Sequence, residues 1–153
     1  MGSPGQAWYR FRASLQRRPP GLGSQEGRAG GEALRVLETV GGSGFAPFAV
    51  SFETCLGALE ALPRMFCELD GSFVWVGEAE GRRWQLDGVV YDRDAAVAYV
   101  DLQGECPGEA LDAVLAACGW PETELMFVLP QEGVILDEET FRAHASRKKE
   151  SSE

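Results

Sequence analysis

The sequence predicts one α+β domain, in which helices pack on an antiparallel sheet of three to five strands. Its 153 residues, 44% of them hydrophobic and 25% charged, are enough for one domain with a core and too few for two. Two segments, at about 52–62 and 106–120, repeat apolar residues at helical spacing. Between and after them lie short runs rich in β-formers, separated by turn sequences, as is typical of strands. The predicted order is αβββαβ, followed by a terminal strand and helix.

The first 44 residues are predicted to be disordered or weakly structured, and the compact domain to span residues 45–146. Residues 1–30 are rich in Gly, Pro and Arg, and no acidic residue precedes Glu26. Such a composition buries little apolar surface. The segment "AWYRFRASLQRR" is compatible with an arm that binds nucleic acid or a membrane surface, a targeting peptide, or a leader from an over-extended start. A short helix is expected at about 31–40, in "GEALRVLETVGG".

The first helix of the compact domain is predicted over about 52–62. Ser51 is a suitable N-cap, because its hydroxyl can accept a hydrogen bond from the first turn, and Pro63 ends the helix. Five apolar residues follow the helical spacing: Phe52, Cys55, Leu56, Leu59 and Leu62. They give this helix one face to bury.

Four strands are predicted next, in "MFCEL", "FVWVGE", "RWQLDGVVYD" and "AVAYVDLQG". "CPGEALDAVLAACGW" is the second helix, with Pro107 in its first turn and Gly119 just after its end. "ELMFVL" and "QEGVIL" are two further strands, "DEETFRAHASRKK" is a last helix capped by Asp137, and residues 147–153 form a charged tail. The tryptophans of this region are expected to anchor the core or its rim: Trp75, Trp84 and Trp120.

The composition argues against several classes of function. A formal net charge of −10 repels nucleic acid and anionic membranes at long range, and no apolar run is long enough to span a bilayer. The four cysteines contain no CxxC pair and His144 is the sole histidine, so a zinc site of the usual spacing is not expected. Buried, reduced thiols and a cytoplasmic location are predicted.

Cys106 is a candidate nucleophile, because a helix N-terminus lowers the pKa of a thiol. The neighbouring carboxylates of Glu105 and Glu109 oppose that effect. His144 is the only histidine that could assist, and it is expected on a surface helix. Cysteine catalysis is therefore not predicted.

The most informative stretch is "WQLDGVVYDRDAAVAYVDLQG". Two strands folded about Arg93 and Asp94 would place Asp87 directly opposite Asp101, with Gln103 on the same face. Facing carboxylates are unfavourable by roughly a few tenths to 1 kcal/mol. A divalent cation such as Mg²⁺ or Mn²⁺ between them would reverse the sign, because these ions prefer oxygen ligands.

At these residues the chain resembles the restriction-endonuclease-like nucleases, the PD-(D/E)xK group. The order helix, three strands, helix, strand over roughly residues 52–130 is similar to the core of that group. The resemblance implies that Asp87 and Asp101 hold Mg²⁺ or Mn²⁺, and that Gln103 stands where the group has its motif lysine. That lysine helps to position and activate the attacking water, whereas a neutral glutamine can only form hydrogen bonds.

Two further positions bear on the resemblance. Leu86 precedes the first aspartate, where the motif has proline. Glu53 or Glu60 would have to supply the acid that some members carry on the first helix. With the lysine and proline replaced, the resemblance implies a degenerate or inactive nuclease.

Two hypotheses about function follow. The first is a non-catalytic binding or structural domain that contacts an unidentified protein partner and uses no cofactor. The second is a metal-dependent nuclease-like domain, degenerate or inactive, with Asp87, Asp101 and Gln103 at the catalytic positions and Mg²⁺ or Mn²⁺ as cofactor. Nucleic acid is a partner only under the second hypothesis, and neither involves a membrane.

Overall fold

The structure, a computed structural model, describes residues 7–38 and 46–150, with the backbone alone for 147–150. Seven strands form one sheet, in which every neighbouring pair is antiparallel. They are β1 (Trp8–Arg17), β4 (Met65–Cys67), β5 (Ser72–Ala79), β6 (Arg82–Arg93), β7 (Ala96–Pro107), β8 (Leu125–Leu129) and β9 (Val134–Leu136), in the spatial order β4-β5-β6-β7-β1-β8-β9. A separate hairpin pairs β2 (Ser24–Ala29) with β3 (Glu32–Leu37).

Three helices cover one face of the large sheet: α1 (Phe52–Glu60), α2 (Gly108–Ala117) and α3 (Glu138–Glu150). Residues paired across neighbouring strands share a face, so Leu15, Val100 and Phe127 lie on the same side. All three are fully buried, and they belong to the same core as the buried faces of α1, α2 and α3. The single core therefore lies between the sheet and this helical layer.

The opposite side of the sheet, here called the open face, is not covered by a helix in the part of the chain that the structure describes. Its middle row of side chains runs from strand to strand: Phe66, Val74, Asp87, Gln103 and Arg12. All five are exposed. An antiparallel sheet with one solvated face accounts for the alternation of apolar and polar residues along β6 and β7.

The predicted α+β class and antiparallel main sheet are confirmed, but that sheet has seven strands rather than three to five, and β2 and β3 form a second sheet. The predicted order αβββαβ is also wrong, because three strands precede α1 and four lie between α1 and α2. The local signals also hold. The backbone N–H of Thr54 donates to the Ser51 hydroxyl at 3.0 Å, and that of Thr140 donates to Asp137 at 2.8 Å. Gly119 follows α2 with φ of 101°, a left-handed conformation that suits glycine.

The prediction that residues 1–44 are disordered is wrong over 7–38, the part that the structure describes. β1 is an inner strand, hydrogen-bonded to β7 on one side and β8 on the other, so the domain begins by Trp8 rather than at residue 45. The physical reason is a period of two: Phe11, Ala13 and Leu15 are buried, whereas Arg10 and Arg12, on either side of Phe11, point to the open face. The segment that suggested a basic arm is therefore a strand with one buried face and one face exposed to solvent.

The prediction of a short helix at 31–40 is also wrong over 31–38, the part of it that the structure describes. Glu32–Leu37 is a strand that pairs with β2 across a turn at Gly30 and Gly31, whose φ angles are 59° and 82°. Residues 1–6, 39–45 and 151–153 lie outside the described residues, and with them the last two residues of this segment and the end of the charged tail. None of the helices in the described ranges is long and apolar enough to cross a membrane.

Candidate functional site

The two aspartates that the sequence singled out do not face each other. Asp87 pairs with Gln103, and Asp101 pairs with Val89. The predicted register is therefore wrong by two residues. Both carboxylates do lie on the open face, as diagonal neighbours, for which the separation is about 7–8 Å.

Two local features cause this shift. The turn between β6 and β7 consists of Asp94 and Ala95, with φ of 54° and 70°, so Arg93 pairs with Ala96. A β-bulge then adds one more residue, because Asp92 pairs with Val97 whereas the preceding Tyr91 pairs with Tyr99. Each feature moves the register by one position.

Each aspartate has a neutral hydrogen-bond donor beside it. The Gln85 side chain donates to Asp87 Oδ1 at 2.8 Å. Partial burial raises the pKa of Tyr91, and the negative charge and hydrogen bond of Asp101 raise it further. Tyr91 also stacks on Tyr99 with ring centroids 4.4 Å apart. These contacts reduce the repulsion between the carboxylates without a cation.

Arg12 is the residue of this patch that the sequence did not identify. It lies on β1 directly opposite Gln103, and it lines a shallow cavity of about 350 Å³ together with Asp87 and Asp101. Glu53 and Glu60 lie on α1, on the other side of the sheet, so neither can complete this patch. Among the described residues no cluster of three or more His, Cys, Asp or Glu side chains could hold a metal ion.

Neither Cys106 nor His144 forms a nucleophilic site. Cys106 is buried, and burial raises the pKa of its thiol to about 12, so the thiolate is scarce near neutral pH. His144, which was expected at the surface, is 6% exposed, and its Nδ1 lies 3.1 Å from Glu32 Oε1 on the β2–β3 hairpin. The histidine thus joins α3 to that hairpin.

A cavity of about 700 Å³, here called the Trp cleft, lies at β5 on the side of the sheet that carries the helices. Its lining residues include Leu62, Pro63, Arg64, Trp75, Gly77, Trp84, Ala110 and Ala113. The Trp75 indole donates to the carbonyl of Pro63 at 2.7 Å and meets Trp84 edge-on, with ring centroids 5.0 Å apart. Gly77 pairs with Trp84, and a Cβ at Gly77 would overlap the Trp84 indole, so glycine lets this ring lie across β5.

Beside this cleft, no strand in the described part of the chain pairs with the outer edge of β5 along Gly77–Ala79. The short strand β4 pairs with Phe73–Trp75. Before β4 the chain turns away at Arg64, whose φ is 66°, and Val76 N donates a 3.5 Å hydrogen bond to Arg64 O. The predicted strand "MFCEL" begins at the right residue, but the sequence did not show which part of β5 it pairs with.

At this gap, the backbone N–H and C=O of Glu78 point away from β6, toward the free edge of β5. In an antiparallel strand, every second residue directs its N–H and C=O to the same neighbour. Ser72 O accepts from Glu68 N at 2.9 Å and Val76 N donates to Arg64 O, both on the outer side of β5. Glu78, two residues further on, therefore presents its N–H and C=O on that side as well.

Three acidic residues and one basic residue lie among those that line the Trp cleft: Glu78, Glu80, Glu109 and Arg64. The outward N–H and C=O of Glu78 can bond to the backbone of an extended chain, and the cleft beside them has room for a side chain. The sequence signal that could have located it is a glycine paired across two strands with tryptophan.

Comparison of the chain with protein-family models, curated proteins and solved structures finds no match.

Proposed function

We propose that this protein is a non-catalytic binding domain that takes up an extended segment of a partner protein along the outer edge of β5. The observation that carries the proposal is the unpaired edge at Gly77–Ala79 beside the Trp cleft. A segment added there as a strand would bond to the outward N–H and C=O of Glu78. Strand addition of this kind derives affinity from the main chain and specificity from pockets for alternate side chains.

The two sides of β5 offer different surfaces to such a segment. A partner residue opposite Gly77 has its side chain on the side of Trp84, where it enters the Trp cleft. The partner residues before and after it have their side chains on the open face, where Val76 and the exposed pair Val74 and Phe66 also lie. Phe66 is 65% exposed and Val74 is 38% exposed, which is unusual for apolar side chains that touch each other across a sheet.

The partner is a different protein rather than a second copy of this chain. With a net charge of −10, two copies repel each other at long range. Glu78, Glu80 and the nearby Glu68 would also meet their own kind if two β5 edges paired. Acidic residues at an exposed edge are a known means of suppressing edge-to-edge association.

A display library of random octapeptides, selected on the immobilised full chain, tests the proposal. The decisive variant is Glu78→Pro, which removes the outward N–H and is tolerated at an edge position, with Glu78→Ala as the matched control that keeps it. We expect selected peptides, measured by fluorescence anisotropy, to bind the parent and Glu78→Ala and to lose about tenfold or more in affinity for Glu78→Pro. No enrichment, or equal binding to both variants with unchanged melting temperatures, would contradict strand addition.

A metal-dependent nuclease-like domain is a second candidate, favoured by Arg12. Arg12 on β1 pairs with Gln103, the position at which the resemblance expects lysine. β1 therefore places a positively charged side chain next to that position. Against this, Asp87 and Asp101 are diagonal rather than facing.

We predict that Mn²⁺ leaves the melting temperature of the parent unchanged, because two carboxylates without a third ligand hold the ion weakly. Asp101→Asn should change the free energy of unfolding by less than about 0.5 kcal/mol. A ligand that binds only the folded state raises the melting temperature. A rise of several degrees with Mn²⁺, absent in both Asp87→Asn and Asp101→Asn, would support the nuclease-like candidate, and Gln103→Lys would then be the variant to assay for DNA cleavage.

A further inference from the structure

We infer that the open face carries a second contact surface, which takes up an amphipathic helix with a basic polar side from a partner protein. This surface, here called the apolar corner, consists of Phe66, Leu69, Val74 and Tyr91 together with the carboxylates of Asp87 and Asp101. It goes beyond strand addition at β5, because it uses side chains on the face of the sheet rather than backbone groups at its edge.

Four large apolar side chains are exposed in the described part of the chain, and all four lie at this corner. Phe66 pairs with Val74 across β4 and β5, and Leu69 lies in the turn that joins these two strands. Tyr91 on β6 is two residues beyond Val89, which pairs with the first residue of β5. Apolar residues that are exposed singly are normal, whereas a group of them indicates a contact surface.

The turn that presents Leu69 is held by hydrogen bonds. Asp70 Oδ1 accepts from the backbone N–H of Ser72 at 3.0 Å and from its hydroxyl at 2.7 Å. Val90 N on β6 donates to Gly71 O at 2.8 Å, which ties the turn to the sheet. Leu69 is 92% exposed on this turn. Because the backbone is already ordered, burial of the leucine by a partner costs little further conformational entropy.

The corner has a negative charge that the described residues do not neutralise. Asp87 lies on β6, and Asp101 is its diagonal neighbour on β7. The donors beside them, the Gln85 amide and the Tyr91 hydroxyl, are neutral. In the described part of the chain, Arg12 on β1 forms no ion pair with either aspartate. Each carboxylate has about four lone-pair sites, so both can accept further hydrogen bonds from a cation.

A helix suits this surface because it satisfies its own backbone. The backbone groups of β5, β6 and β7 at the corner are used within the sheet, so the face offers side chains alone. An extended segment laid on it would leave N–H and C=O groups unpaired against apolar side chains. Residues on one face of a strand are about 7 Å apart, so the corner spans about 14 Å from Asp87 to Tyr91, the length of about nine helical residues.

The charge at the corner favours a helix with lysine or arginine beside its apolar face. Such side chains would be attracted by Asp87 and Asp101. Nucleic acid and anionic membranes would be repelled by the same carboxylates. A second copy of this chain would bring the two aspartates close to their own counterparts. An amphipathic basic helix of another protein meets both requirements, because it presents apolar and cationic side chains together.

Synthetic helical peptides of about 18 residues test the inference on the full chain. One has a leucine face and lysines on its polar side, and a second has glutamate in place of lysine. A third contains the residues of the first in a scrambled order without an apolar face. By fluorescence anisotropy, we expect the first peptide to bind at least about tenfold more tightly than the other two, because it alone matches both the apolar side chains and the charge.

Two pairs of charge substitutions locate the binding. Asp87→Asn with Asp101→Asn should weaken binding of the lysine peptide by about tenfold or more, with an unchanged melting temperature. Glu122→Gln with Glu124→Gln makes the same change of net charge at exposed positions between α2 and β8, and it should leave binding within about twofold of the parent. Equal weakening by both pairs would mean that only the net charge of the chain attracts the peptide, and the inference would be wrong.

The apolar side chains and the β5 edge are tested separately. Phe66→Ser with Leu69→Ser should also weaken the lysine peptide by about tenfold or more, because it removes exposed apolar area without reaching the core. Glu78→Pro should leave this peptide unaffected, so that strand addition and the present inference can fail independently. Unchanged binding in the Phe66 and Leu69 variant, or no binding by the parent, would contradict the inference. So would a parent dimer in sedimentation that this variant dissociates, because a second copy would then cover the corner.

Discussion

A chain that lacks residues 1–17 is expected to be unfolded at room temperature. β1 lies between β7 and β8, so its removal leaves each of these strands without its neighbour on one side and opens the sheet between them. It also deletes five buried side chains: Trp8, Tyr9, Phe11, Ala13 and Leu15. Truncation of a single large buried side chain costs about 2–5 kcal/mol, and a domain has only about 5–15 kcal/mol in total.

Far-UV circular dichroism and a thermal melt of the truncated chain measure this. The matched control is the full chain with Arg10→Ser and Arg12→Ser, which changes the same strand on its open face and should melt cooperatively. A truncated chain that melts cooperatively within a few degrees of the parent would show that β1 is peripheral. Early proteolysis within 8–17 in the intact protein would point the same way.

The sequence shows the alternation of apolar and polar residues along β1, but it does not show where this strand lies in the sheet. Phe11 and Leu15 alternate with arginines, as they would in a strand, but a strand prediction also needs a partner. The partners, β7 and β8, are about 90 and 110 residues away and separated by α2. The sequence around β1 does not show that β7 and β8 leave room for a strand between them. Without that information, the residues of β1 resemble a basic arm.

The elements that the sequence did predict depend on local chemistry. α1 begins where the Ser51 hydroxyl accepts from Thr54, and α3 begins where Asp137 accepts from Thr140. These interactions span three residues and need no knowledge of the rest of the fold. Register is less local: the turn at Asp94 and Ala95 and the bulge beyond Tyr91 together separated Asp87 from the partner predicted for it.

The candidate site was only partly visible in the sequence for a related reason. Trp75 and Trp84 were expected at the core or its rim, and they are there. The edge beside them exists because β4 begins only at Met65, opposite Trp75, and the chain before it turns away at Arg64. The sequence predicted the first residue of β4 correctly, but it did not show that this residue pairs with Trp75 and so leaves Gly77–Ala79 without a neighbour from β4.

Phe141→Ala is expected to lower the free energy of unfolding by about 3–5 kcal/mol, the usual loss for a buried phenylalanine. Phe141 is fully buried, stacks on Phe127 with ring centroids 4.2 Å apart, and meets Phe11 edge-on at 5.0 Å. It is thus the residue through which α3 contacts β1 and β8 together. The Arg142 bond to Asp112 at 2.8 Å, another link of this helix, involves partly exposed groups and contributes less.

Urea unfolding followed by circular dichroism measures the loss, which should appear in the midpoint with little change in the slope. Glu139→Ala is the matched control, since it lies on the same helix, is exposed, and should stay within about 0.5 kcal/mol of the parent. Phe11→Ala should cost a similar amount, and the double variant should cost less than the sum, because the two rings touch and each loss includes their shared contact. Strict additivity, or a loss below about 1 kcal/mol for Phe141→Ala, would mean that α3 does not pack on β1, and the placement of β1 at the centre of the core would have to be revised with it.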